Sequence, residues 1–196
     1  MNARTSTVSR KTTETNISVT VNLDGRGIYQ VETGIGFFNH MLELFSKHSL
    51  IDLTVEAKGD LKIDEHHTVE DVGICLGDSL RKAIGDKKGI ERYGFLLPMD
   101  EALAEVAIDL GGRSYLVWNA PFKREKIGDM PTELFEDFFK AVADNLQANI
   151  HINVKYGRNE HHIAESVVKS FARALRFAVS RDKQTKNLLP STKGKL

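Results

Sequence analysis

At 196 residues the chain is long enough for one sizeable core, or for two fused half-domains of about 100 residues each. Its 27 basic and 27 acidic residues balance, which argues against a nucleic-acid or acidic-membrane binder. A single cysteine, Cys75, excludes an intrachain disulfide, and no apolar run approaches the ~20 residues of a membrane span, so a soluble cytoplasmic protein is expected.

The start, Met1 to Asn16, is rich in Thr and Ser and carries no apolar signal core; Thr5 to Thr13 reads as an edge strand. Ile17, Val19, Val21 and Leu23 alternate with polar residues, the period of a strand with one buried face. Asp24-Gly25-Arg26-Gly27 is a hairpin-turn signal, and Ile28 to Glu32 is expected to return as the partner strand. Phe37, Phe38, Met41, Leu42 and Phe45 show helical spacing, Leu50 to Ala57 is a strand, and His66 to Ile84 is a helix with Val69, Val72, Leu76, Leu80 and Ala83 inward. Cys75 falls within that helix and reads as a small packed apolar residue.

The second half repeats the order. Ala102 to Leu110 is a strand, Gly111-Gly112 a turn, and Ser114 to Trp118 its partner. Pro121 to Met130 is a polar loop, Leu134 to Val142 a helix, Ile150 to Val154 a strand, and His161 to Ser180 the last helix. The expected class is α+β: internally duplicated strand-strand-helix-strand-helix halves (1–88 and 89–196) in one compact unit, with two sheets packed around helices. The tail sets Arg181, Lys183, Lys186, Lys193 and Lys195 against Asp182; it is either a solvated terminus or a phosphate-binding flap, and composition does not decide.

One short stretch is written twice. His66-His67-Thr68-Val69-Glu70 recurs as His161-His162-Ile163-Ala164-Glu165, at a constant offset of 95 (66 to 161, 67 to 162, 70 to 165). Residues four apart on a helix share a face, so His66 points with Glu70 and His161 with Glu165, while His67 and His162 point about 100° away. A lone His pair on a helix is usually a polar surface feature. The doubling makes coincidence a poor account and suggests two metal ions.

These motifs resemble imidazoleglycerol-phosphate dehydratase. They are Asp64 to Asp71, Asn159 to Glu165, Gly34-Ile35-Gly36-Phe37-Phe38-Asn39-His40-Met41-Leu42, Glu91-Arg92-Tyr93-Gly94 and Pro190-Ser191-Thr192-Lys193-Gly194, and together they span nearly the whole chain. The resemblance implies a step of histidine biosynthesis in which imidazole glycerol phosphate loses water to give imidazole acetol phosphate. It further implies two manganese ions per active site, sites lying between subunits, and a homo-oligomer of trimers assembling to a 24-mer.

Carried over by position, one metal would take His66, Glu70, His161 and Glu165, and the other His40, His67, His162 and Asp137. The family usually has histidine where this chain has Asp137, and carboxylate is a competent manganese ligand. The substrate phosphate would fall to Arg92, Arg113, Lys169, Ser191 and Lys193, and proton transfer to Glu14, with Asp100 and Glu101 in reserve.

The chemistry explains a demand for two metals. The substrate's C2–H has no adjacent carbonyl to acidify it. A ring held as imidazolate by two metals can expel hydroxide from the attached carbon, which makes that proton acidic by conjugation. Two other readings remain: a metal-dependent hydrolase, separated by assaying phosphate release, and a non-catalytic metal-storage shell, excluded by turnover.

Overall fold

The structure, a computed structural model, describes residues 4–182 and 188–194. The tail lysines Lys183, Lys186 and Lys195 lie outside the described residues.

Two four-stranded sheets share one topology. The first contains β1 (Thr5–Lys11), β2 (Thr15–Asn22), β3 (Tyr29–Glu32) and β4 (Asp52–Gly59), in the order β1-β2-β4-β3. The second contains β5 (Tyr93–Met99), β6 (Ala102–Asp109), β7 (Tyr115–Asn119) and β10 (Asn149–Tyr156), in the order β5-β6-β10-β7. In each, three strands pair antiparallel and the last pairs parallel. A small hairpin, β8 (Lys126–Ile127) with β9 (Met130–Pro131), interrupts the segment expected to be wholly loop.

Four helices lie between the sheets: α1 (Gly36–Ser49), α2 (His66–Ile84), α3 (Leu134–Leu146) and α4 (Glu160–Val179). Helix α2 packs on β1, β2 and β4 and against α3; α4 packs on β5 and β6 and against α1. The inward residues expected on α2 are all buried, as are Val167, Val168, Phe171, Leu175 and Ala178 of α4 and Ile17, Val19 and Val21 of β2. Their burial gathers both halves into one hydrophobic core, each large aliphatic side chain contributing about 1.5–3 kcal/mol. Cys75 is buried within that core, and burial pushes its thiol up to about 11. On α2, Gly73 and Gly77 let α3 approach closely, since a Cβ on Gly77 would sit 2.7 Å from the Val142 carbonyl oxygen. Among the described residues no helix is long and apolar enough to cross a membrane.

Two pairings differ from the sequence-based expectation. Asp24 to Gly27 does not close a hairpin between β2 and β3; β3 instead lies parallel to β4, on the far side from β2. The Asp52 carboxylate holds this crossing, accepting from the backbone N–H of Arg26 at 2.8 Å and of Ile28 at 3.0 Å. Likewise β7 pairs parallel with β10 rather than returning beside β6. Each parallel pair is joined through a helix, α1 or α3, as a parallel connection requires. Strand β5 is an additional element: its Gly94 and Pro98 obscure the alternation, and Pro is tolerated because β5 is an edge strand.

Candidate metal and active site

Both His-His-x-x-Glu copies open a helix, and both are launched by a short polar side chain two residues upstream. The Asp64 carboxylate accepts from the His66 N–H at 2.9 Å, and the Asn159 side-chain oxygen from the His161 N–H at 3.0 Å. The helical starts then project two rings from each first turn at nearly right angles, 86° for His66 and His67 and 89° for His161 and His162.

Helices α1 and α4 bring together His40, His161 and Glu165. Oxygen Oε1 of Glu165 lies 3.1 Å from Nε2 of His40 and 3.0 Å from Nε2 of His161, and the three ligand atoms fall within 4.8 Å of one another. The other carboxylate oxygen is 2.5 Å from Nζ of Lys169, which also reaches Sδ of Met99 at 3.1 Å. Burial alone would raise the Glu165 carboxyl, but hydrogen bonds from Lys169, His40 and His161 outweigh it and hold the group down at about 2. Phe37 packs edge-on to His161 at 5.2 Å, walling one side.

A second group forms around His67. Its Nδ1 lies 3.1 Å from both oxygens of Asp60, and its Nε2 is 3.8 Å from Oε2 of Glu14. The hydrogen bond to Asp60, helped by Glu14, raises the His67 pKa above its ordinary value. His162 has parallel surroundings: Nδ1 lies 2.7 Å from Oε2 of Glu101, and Nε2 is 3.9 Å from Asp100. The same contact raises His162 and lowers Glu101 to about 2. Asp60 is a site residue that the sequence did not single out. It stands among Asp64 and Glu65 in one acidic loop, and nothing in its spacing to His67 marks it.

The expected quartets are not gathered within one chain. His40 joins His161 and Glu165 rather than His67 and His162. His66 lies apart, its Nδ1 3.7 Å from Oδ2 of Asp137, and Glu70 is exposed. Arg92 forks onto Asp109 and donates to the Pro190 carbonyl at 2.9 Å, which ties it to the turn carrying Ser191 and Lys193. Within that turn the Lys193 N–H donates to the Ser191 hydroxyl oxygen at 3.2 Å. Arg113 is exposed, two residues before β7.

The family profile described as imidazoleglycerol-phosphate dehydratase matches residues 33–175. The imidazoleglycerol-phosphate dehydratase of Clostridium kluyveri is 57% identical over 188 residues, covering 95% of this chain and 96% of that protein. The histidine biosynthesis bifunctional protein of Spirosoma linguale is 58% identical over 99% of this chain, which spans only 50% of that longer relative. The crystal structure of imidazoleglycerol-phosphate dehydratase from Staphylococcus aureus superposes with a TM-score of 0.82 at 41% identity, covering 91% of this chain and 99% of that one. Fold, site and relatives together define a hydro-lyase, an enzyme that breaks a carbon–oxygen bond by removing water. Within that class, the chain belongs to the imidazoleglycerol-phosphate dehydratase family.

Proposed function

We propose that this protein converts imidazole glycerol phosphate to imidazole acetol phosphate with the help of two manganese ions. The observation that carries the metal part is the convergence of His40, His161 and Glu165 at one point. Imidazole nitrogen and carboxylate oxygen are donors that manganese accepts, so the residues fit the ion. His40, His161 and Glu165 would hold one ion and His67 would take part in the other. His66, Glu70, His162 and Asp137 would complete the shells from neighbouring copies. When bound, the ions supply Lewis acidity to the substrate's ring nitrogens.

The chain's own groups do the rest. Glu165 stays ionised under the grip of Lys169, which fixes a negative charge where cations gather. Glu14 is exposed and lies 3.8 Å from His67, which supports a role in which its carboxylate would take and return a proton on a ligand bound there. Arg92, anchored on Asp109, steadies the turn whose Ser191 and Lys193 would receive the phosphate. Lys169 and Arg113 would add positive charge for the phosphate.

One chain supplies only part of each donor set, which supports assembly into trimers and a 24-subunit shell. Light scattering of metal-free and manganese-loaded protein reads this directly, and an unchanged large particle without metal would show that metal is not needed for assembly. For the reaction, ultraviolet detection of the ketone product should show turnover with manganese and none after chelation. Full turnover in protein shown by elemental analysis to be metal-free would overturn the metal-dependent reading.

A further inference from the structure

Two carboxylates touch the second histidine of each motif from outside the expected ligand set. One is Asp60, in the turn after β4; the other is Glu101, in the turn just before β6. Both meet the ring at Nδ1, so both rings present Nε2 outward. An ionised carboxylate only accepts hydrogen bonds, so the ring nitrogen against it must be the one bearing hydrogen. The neutral ring's lone pair then sits on Nε2, the form a metal requires.

At Glu101 this arrangement is doubly fixed. Its Oε1 accepts from the backbone N–H of Asn159 at 2.8 Å and of Arg158 at 3.3 Å, while Oε2 faces His162 Nδ1 at 2.7 Å. The same side chain thus pins the loop that launches α4 and orients the ring on its first turn. Asp60 is held less tightly: both its oxygens are 3.1 Å from His67 Nδ1.

We infer that Glu101 is a positioning residue that fixes the tautomer of His162, leaving Nε2 unprotonated as the coordinating atom, and that Asp60 does the same for His67. The inference rests on the metal-dependent reading above. It gives Glu101 a role that loop anchoring alone does not contain.

The two roles make opposite predictions for a pair of variants. In Glu101→Gln the amide oxygen is kept by the two backbone N–H donors, so the NH2 group turns to His162. It would donate to Nδ1 and drive the ring hydrogen to Nε2, the nitrogen on the side of Asp100 at 3.9 Å. That tautomer cannot bind a metal through Nε2. Glu101→Ala loses the anchor but leaves the ring free to adopt either tautomer. Loop anchoring alone ranks Ala as the worse change; tautomer control ranks Gln as the worse one.

The test is manganese titration of the full-length protein and its variants, followed by electron paramagnetic resonance, with circular dichroism to compare folding. Glu101→Gln should weaken one manganese site by about 10- to 100-fold, the range for outer-shell changes at metal sites. Glu101→Ala should weaken it less. Asp60→Asn, on a separate loop, should lose less than Glu101→Gln, because its amide can turn its oxygen to His67. Equal affinity in Glu101→Gln and the parent, or a greater loss in Glu101→Ala, would overturn the inference while leaving the metal-dependent reading intact. A parent protein that binds no manganese would overturn both.

Discussion

His40 on α1 and Glu165 on α4 meet with Nε2 and Oε1 3.1 Å apart, although 125 residues separate them in sequence. The contact makes Glu165 the hub of one candidate metal group, and Lys169, one turn along α4, takes its other oxygen. Both partners of the Glu165–Lys169 pair are largely buried, with side chains 9% and 12% exposed. Glu165→Gln is therefore expected to act twice. It should weaken one manganese site by at least about tenfold, as loss of an outer-shell group already does. It should also destabilise the chelated protein by about 3–5 kcal/mol, the effect of leaving a buried charge without its partner. Metal titration and urea melts in chelator separate the two effects. An unchanged melt would show that Lys169 finds another partner.

Much of this was legible in the sequence, and the limits are physical. Helix α2 was readable to its ends because its apolar residues recur at helical spacing and Gly85 stops it. The doubled histidine motif was readable because it repeats at one offset. Strand partners were not, because Asp24 to Gly27 has the local chemistry of a tight turn whether the chain folds back or crosses over. The deciding contact is with Asp52, which lies about two dozen residues away at the start of β4. The meeting of His40 with Glu165 within one chain was not legible for a related reason. A helix face tells which residues point together, not which helix lies opposite, and α4 faces α1 rather than α2.

The α2–α3 contact makes its own prediction. A methyl at Gly77 would stand 2.7 Å from the Val142 oxygen and 3.0 Å from the Asn145 Cβ. Backbone on the facing helix cannot swing aside as a flexible side chain would. Gly77→Ala, which on an exposed helix position would stabilise, should here destabilise by about 1–3 kcal/mol. The urea midpoint at neutral pH checks it, and a raised midpoint would mean that the helices separate at little cost.

Acid should weaken the crossing between β2 and β3. Burial would raise the Asp52 carboxyl, but the N–H groups of Ile28 and Arg26 and the Asn22 amide outweigh it and hold the group below its ordinary 3.8. A group whose folded pKa is depressed contributes stability above its unfolded value and loses it as pH falls through the folded one. Asp52→Ala should therefore cost about 1–3 kcal/mol at neutral pH. The gap to the parent should narrow once pH drops below 3.8. Denaturant melts of both proteins across that range test it; a gap independent of pH would assign the loss to packing instead of charge.

The last prediction concerns Asp137, on the first turn of α3. Its Oδ2 lies 3.7 Å from Nδ1 of His66, beyond hydrogen-bond range, and both side chains are about half exposed. They share an open groove with Trp118, Phe122 and Glu136. Neither group closes on the other, and both line the groove. If Asp137 is a ligand, Asp137→Ala should lower occupancy of one manganese site and spare the other. Asp137→His should preserve binding, since imidazole nitrogen is also a competent donor to manganese. It also removes a negative charge, so the variant should shift preference from manganese toward zinc. Elemental analysis of the parent and both variants, each loaded with equal manganese and zinc, decides the matter. Full occupancy in Asp137→Ala with the parent's metal ratio would mean that Asp137 only lines the groove, and that a different donor completes the shell.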